Sequence, residues 1–316
     1  MKPTIAIIIP AFNEEATIKE VIFDFYNYLP DGKIYVIDNN SSDKTNYIAK
    51  TTLSESNISG EVLFVRKQGK ANAIKEAFRL IDADVYVMVD ADHTYFAKDL
   101  ESLITPVIKG ECDIVVGNRF ANNDYQVENK RNFHRFGNDL VRKLINLFFH
   151  ANLTDIMSGY RVFSKRFVKN YPIMCEGFEI ETEMTLHSLD KKFTIIEVPI
   201  NYKDRIEGSV SKLNTFKDGC KVIRTIFTIL KDFKPLFFFG NLSFLFALVG
   251  LIVGSFPVYE YIKFKYVYKV PSAILATGLI ILSLLTMAIG LILETIAKHQ
   301  RINYELRLLG EKSKYS

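Results

Sequence analysis

Asp90 and Asp92 are the residues in this chain best placed to do chemistry. They follow the apolar run Val85-Tyr86-Val87-Met88-Val89, which reads as a buried strand. Residues two apart in extended backbone point the same way, so the two carboxylates, with Ala91 between them, can converge on one cation. Hard oxygen ligands suit Mg²⁺ or Mn²⁺, and Mg²⁺ is commonly held by one or two carboxylates together with substrate phosphates. The carboxyl end of a strand is also where open α/β sheets bind ligands. An isolated pair of this kind reads more readily as a strand-ending turn with two solvated acids. The rest of the chain favours the metal site.

The elements that must position the pair alternate in type. Strands are expected at Thr4–Ile9, Lys33–Ile37, Glu61–Val65, Val85–Val89 and Asp113–Val116. Helices are expected at Glu14–Leu29, Ser42–Ser54, Lys70–Ile81 and Lys98–Lys109. This order implies a mostly parallel sheet with helices on both faces. Polar residues gather where strands end: Pro10-Ala11-Phe12-Asn13-Glu14, Asp38-Asn39-Asn40-Ser41-Ser42 and Gly69-Lys70-Ala71. With Asp90 and Asp92 they form one rim on which a nucleotide would lie. Neither GxGxxG nor GxxxxGK[ST] occurs, so phosphates would be held by metal and cations, which argues against dinucleotide oxidoreductases and P-loop enzymes.

The C-terminal part differs in kind. Leu236–Phe256 and Val270–Leu293 carry no charged residue, and each reaches the ~20 residues that cross a bilayer core. The formal net charge of +4 is small but placed at their ends. Lys217, Lys221, Arg224, Lys231 and Lys234 precede the first segment, and Lys298, Arg301, Arg307, Lys312 and Lys314 follow the second. The positive-inside rule then puts both flanks, and the domain before them, in the cytoplasm of a multi-pass protein of the cell (plasma or inner) membrane. The expected division is a cytoplasmic domain over 1–213, an amphipathic juxtamembrane helix over 214–235, two spans within 236–293 joined by a short external loop, and a basic tail over 294–316. In the juxtamembrane helix Phe216, Cys220, Ile223, Phe227 and Leu230 form an apolar stripe suited to anionic headgroups. Arg135–His150 carries a similar stripe, Phe136, Leu140, Leu144 and Phe148, which serves either a core or a membrane interface. Cys112, Cys175 and Cys220 lack metal or disulfide spacing and fit a reducing compartment. Membrane lipids are expected partners and nucleic acid is not; homo-oligomer formation stays open.

The segments IIIPAFNEE, VIDNNSSDKT, GKANAI, VDADHT, GNRF, DIMSGYRVFSKR and GFEIETEMTLHSLDKKFTIIEVPINYKDRIEGSVSKL follow one another over residues 4–213. In that order and spacing the chain resembles the inverting, nucleotide-sugar glycosyltransferases of GT-A fold, and among them the polyprenyl- or dolichyl-phosphate sugar synthases. The resemblance implies a Rossmann-like GT-A domain, a nucleotide-diphosphate sugar donor, a polyprenyl phosphate acceptor (undecaprenyl or dolichyl) and a divalent cation. Pro10, Glu14 and Asp38 would frame base and ribose, with Ala11, Asn13, Lys70 and Ala91 on the same donor rim. Asp90 and Asp92 would hold the metal on the diphosphate. Arg119, Arg205 and Lys212 would neutralise phosphates, aided by Arg131 or Arg135. Thr94 stands where the family often has Gln, and Asn39 where it commonly has a second carboxylate.

That chemistry fits the residues. A leaving diphosphate gains charge, which a divalent cation, Arg and Lys stabilise. A lipid phosphate is already ionised at neutral pH, so positioning matters more than a general base. Gly208-Ser209-Val210-Ser211 reads as a flexible link between Arg205 and Lys212. Asp155, ahead of Ser158-Gly159-Tyr160-Arg161, is a candidate aimed at the sugar, while Glu181 and Glu183 either serve the site or pair with Arg161 or another basic residue. His93 is read as a surface or packing residue. Two rivals remain: transfer to another lipid or glycan acceptor, and a catalytically silent protein that recruits partners at the membrane.

Overall fold

The computed structural model describes residues 2–121, 132–174, 180–203 and 227–312, apart from the side chains at 132–136, 138 and 308–312. β-Branched runs make the strands. β1 (Ile5–Ala11), β2 (Lys33–Asp38), β3 (Gly60–Phe64) and β4 (Val85–Met88) pair in parallel in the spatial order β3-β2-β1-β4. β5 (Ile114–Asn118) pairs in parallel with β7 (Ile195–Pro199). Between β4 and β5 lies β6 (Arg161–Ser164), antiparallel to both, which the sequence pattern does not show. The described sheet is therefore seven-stranded, mostly parallel, in the order β3-β2-β1-β4-β6-β5-β7.

The expected helices are α1 (Ile18–Tyr28), α2 (Thr45–Glu55), α3 (Lys70–Leu80) and α4 (Leu100–Ile108), the last entered through a 3₁₀ turn at Ala97–Asp99. The residues of β1 alternate between two faces. Ile7, Ile9 and Ala11 join Val21, Ile22 and Phe25 of α1, Ala49 and Leu53 of α2, and Leu103 and Val107 of α4 in one core. On another face Phe78 of α3 meets Tyr86 and Phe163 edge-on, at 6.0 and 5.6 Å between ring centroids. Phe163 stacks on Phe167 of α6 (Lys165–Asn170), a short helix capped by Ser164, whose hydroxyl accepts from Phe167 N at 3.1 Å. α5 (Asn132–Phe149) buries Val141 and Ile145, with Leu140, Leu144 and Phe148 half-buried. The described part of the expected stripe thus lies beside the buried one. α7 (Ile180–Asp190) carries Glu181 and Glu183 in its first turn.

The chain folds as two compact units, Met1–Leu213 and Asn214–Ser316. The second unit contains a helical stretch over 227–233 and two long helices, α8 (Pro235–Phe264) and α9 (Val270–Lys312), each with a segment long and apolar enough to cross a membrane. Small residues let them approach. A Cβ on Gly254 would stand 3.3 Å from the Ala276 Cβ, and one on Gly250 3.1 Å from Ile280 Cδ1. Ser243 Oγ donates to Ser283 O at 2.8 Å within the pair. Both helices outrun the expected spans, because polar residues such as Glu260 and Lys298 leave the helix pattern intact after the apolar core ends.

Candidate active site

The ends of β1 and β2 are clasped to one another. Asn13 adopts a left-handed backbone (φ 57°). Its Oδ1 accepts from Ser42 N at 2.8 Å, and its own N donates to Ser41 Oγ at 3.1 Å. Glu14 N donates to Thr45 Oγ1 at 2.8 Å, while the Glu14 carboxylate accepts from Thr17 Oγ1 at 3.2 Å. Asp38 is buried and accepts from Ser41 N and Asn46 Nδ2, at 3.1 and 2.8 Å. Pro10 and Ala11 run beside Ile37 and Asp38 in the β1–β2 ladder. Asn39 ties three loops. Its N donates to Ala11 O at 2.9 Å, its Nδ2 to Lys67 O at 2.8 Å, and its Oδ1 accepts from Gly69 N at 2.6 Å. Gly69 needs its lack of a Cβ, since it sits at φ 124° to turn the chain into α3. Lys70 is the first residue of that helix and is thereby aimed.

Asp90 lies two residues beyond the last residue of β4. Its Oδ1 is 2.5 Å from Lys70 Nζ, which in turn is 2.6 Å from Glu181 Oε1. Burial opposes the charge on Lys70, but Asp90 and Glu181 outweigh it and hold the ammonium well above its ordinary pKa. Behind Asp90 stands Gly159, where an added Cβ would collide with the Asp90 Oδ2 atom. Gly159 N donates to Tyr95 Oη at 2.9 Å, and burial pushes the Tyr95 phenol well up in pKa. Asp92 is not in extended backbone as expected. It closes a turn, with Oδ1 accepting from Thr94 Oγ1 at 2.7 Å and from Thr94 N at 3.3 Å, a side-chain-stabilised turn of the kind Asp favours. His93, within that turn, has φ 56° and is held by Asp24 at 2.6 Å and Glu20 at 3.0 Å.

Arg119 and Asp155 are brought together. Arg119 Nε and Nη2 donate to the two Asp155 oxygens at 2.7 and 2.9 Å, a bidentate pair in which Asp155 is buried. The Arg119 guanidinium also lies 5.5 Å above the Tyr202 ring. Glu197 of β7 fixes the Asp155 backbone, accepting from its N at 2.6 Å. Arg161 does not pair with Glu181 or Glu183 through a close contact. Its buried guanidinium donates to Ser158 O, Ile156 O and Thr185 Oγ1, at 2.8, 2.6 and 3.0 Å. Burial lowers its pKa, opposed by Glu181 and Asp155. Glu183 accepts from Met174 N at 2.9 Å. Arg131, Arg205, Lys212 and the Arg135 side chain lie outside the described residues.

Among the described residues, no group of three or more His, Cys, Asp or Glu side chains converges as a metal cage. Two carboxylates at one strand end, one backed by Gly159 and the other oriented by Thr94, instead fit a Mg²⁺- or Mn²⁺-like cation that takes further ligands from substrate phosphates.

The Glycosyl transferase family 2 model matches residues 6–171, just over half of the chain. The chain belongs to this family. Glycosyltransferase AglJ of Haloferax volcanii is 29% identical over 279 residues, covering 87% of this chain and 88% of its own. UDP-N-acetylglucosamine–dolichyl-phosphate N-acetylglucosaminyltransferase of Methanococcus voltae is 30% identical over 214 residues, covering 62% of this chain and 84% of its own. Among solved structures, glucosyl-3-phosphoglycerate synthase from Mycobacterium tuberculosis in complex with Mn²⁺, uridine diphosphate and glucosyl-3-phosphoglycerate superposes with TM-score 0.57 at 20% identity, covering 73% of this chain and 80% of that one. That likeness bears out the GT-A-like α/β fold. This family 2 glycosyltransferase carries partners that its sequence alone does not announce: Asn39 as a loop tie, Thr94 on Asp92, and Gly159 behind Asp90. Local turn chemistry is the signal for Thr94; nothing local marks the other two.

Proposed function

We propose that the enzyme transfers one sugar, with inversion, from a nucleotide-diphosphate sugar to polyprenyl phosphate (undecaprenyl or dolichyl) at the cytoplasmic face of the cell membrane. The observation that carries this reading is the pairing, in one chain, of the Asp90/Asp92 turn with two membrane-length helices. The dolichyl phosphate in the name of the Methanococcus voltae relative supports the acceptor class. The Mn²⁺ and uridine diphosphate in the mycobacterial complex support a metal and a nucleotide on this fold.

Pro10, Ala11, Asn13, Glu14 and Asp38 are assigned to the nucleotide, on the clasped β1 and β2 ends. Asp90 and Asp92 would hold Mg²⁺ or Mn²⁺, which stabilises charge developing on the departing diphosphate. Lys70 places a positive charge next to Asp90. Asp155 acts as a positioning residue: its carboxylate, engaged by Arg119, aims that guanidinium at a phosphate. Arg205, Lys212 and one of Arg131 and Arg135 are assigned to donor or acceptor phosphates by the sequence resemblance. The acceptor oxygen arrives ionised, so the protein's task is to align two phosphorylated substrates whose charges repel. The test offers a panel of nucleotide sugars to the purified enzyme with polyprenyl phosphate and Mg²⁺. One sugar-linked lipid is expected, and Asp92→Asn or a chelator should abolish it. Donor hydrolysis alone across the panel would overturn the reading.

A further inference from the structure

We propose that Lys70 is an internal counter-ion that competes with the divalent cation for Asp90, so that the metal binds weakly until a nucleotide diphosphate arrives. This rests on the metal-dependent reading above and concerns how that site is controlled.

The geometry is specific. Lys70 Nζ sits between Asp90 Oδ1 at 2.5 Å and Glu181 Oε1 at 2.6 Å. The Lys70 and Glu181 side chains are only 11% and 8% exposed, so solvent screens this group poorly. The backbone that presents Lys70 is set, and Asp90 is backed from behind. Lys70 begins α3, whose start is set by Gly69 and by the 2.6 Å bond from Gly69 N to Asn39. Asp90 is backed by Gly159 so closely that a Cβ there would collide with it.

A divalent cation approaching Asp90 therefore meets an ammonium already on the same carboxylate. Two cations on one carboxylate repel strongly at such separations where screening is weak. Asp92 remains, but no third His, Cys, Asp or Glu joins the pair among the described residues. The carboxylates alone are a poor cage with Lys70 in place. A nucleotide diphosphate changes both terms. Its oxygens supply the missing ligands, and its negative charge attracts Lys70, whose four-carbon stem can turn from Asp90 toward a phosphate. Metal and nucleotide binding are thus coupled through Lys70, and the coupling is reciprocal. Glu181 sets its strength. It shares Lys70 with Asp90 and adds a negative charge, so its loss leaves Lys70 wholly to Asp90.

The test titrates Mn²⁺ into the full-length protein in detergent and follows the free ion by electron paramagnetic resonance, with and without uridine or guanosine diphosphate. Lys70→Met should bind Mn²⁺ alone about tenfold more tightly than wild type, and the gain on adding nucleotide should shrink. Glu181→Gln should bind Mn²⁺ alone more weakly than wild type. Unchanged or weaker Mn²⁺ binding by a folded Lys70→Met protein overturns the proposal. Should that variant not fold, Lys70→Gln decides it: tighter Mn²⁺ binding than wild type supports the proposal, and unchanged or weaker binding overturns it. Mn²⁺ binding that ignores Lys70 leaves the metal assignment standing. No Mn²⁺ binding by any variant, even with nucleotide, removes that assignment and this inference together.

Discussion

Gly159 has no side chain, and the Asp90 carboxylate occupies the space where one would be. Gly159→Ala should push Asp90 out of line while leaving the sheet intact. Transfer should fall about a hundredfold, the scale of a displacement near 1 Å at a reacting site. The circular dichroism spectrum should stay that of wild type, and a wild-type rate would contradict the packing argument. At this scale the sequence is legible where spacing is local. Asp92 and the turn-forming Asp38 declare themselves because their partners, Thr94 for the one and Ser41 and Asn46 for the other, are near in the chain as well as in space. Lys70 and Glu181 are separated by 111 residues, and Arg119 and Asp155 by 36. Each can be named alone as a candidate, but which cation meets which acid depends on how the sheet orders its strands. Asn39, where a second acid is common in similar chains, proves to bind backbone at Lys67 and Gly69 on the connection from β3 to α3.

At the scale of elements, the regular alternation through β5 is readable, because β-branched runs and 3.6-residue stripes recur there with few interruptions. β6 is not. Arg161–Ser164 is four residues long, and its first side chain is a buried Arg held by carbonyls, which no apolar pattern reports. β7 carries the β-branched content of a strand in Ile195-Ile196-Glu197-Val198, but it sits inside a long motif-bearing stretch that does not mark it off with turn residues. The helices beside these strands hold a titratable group. His187 of α7 lies among Phe167, Tyr171 and Phe193, at 6.1, 5.0 and 6.0 Å between ring centroids. Burial, with Lys191 nearby, pushes its pKa down to about 4. The folded chain therefore prefers the neutral ring, whereas the unfolded chain takes up a proton near pH 6.5. This contribution to stability is complete above about pH 6.5 and is lost as pH falls toward 4, costing about 2 kcal/mol by pH 5. Thermal midpoints measured from pH 7 to 5 should fall for wild type and fall less for His187→Leu. Parallel curves would refute the assignment.

At the scale of the whole molecule, two apolar segments with basic flanks are plain in the sequence, since bilayer thickness sets their length. Their ends are less so, because α8 and α9 run on as helix past the apolar core. The proposed topology puts residues 1–235 and 294–316 in the cytoplasm and only about 257–269 outside. A Cys introduced at Ser313 should resist an impermeant external reagent in intact cells and react once the membrane is opened. Labelling in intact cells would invert the orientation.

The proposed function stands or falls on the acceptor, and a single comparison of two lipids decides it. The purified enzyme, with its preferred nucleotide sugar and Mg²⁺, is given polyprenyl phosphate or the dephosphorylated polyprenol at equal concentration, and sugar-linked lipid is measured. Product is expected from the phosphate and none from the alcohol, because a phosphate oxygen arrives already ionised whereas a hydroxyl would first have to lose its proton. Equal rates with the two lipids would contradict the proposed function.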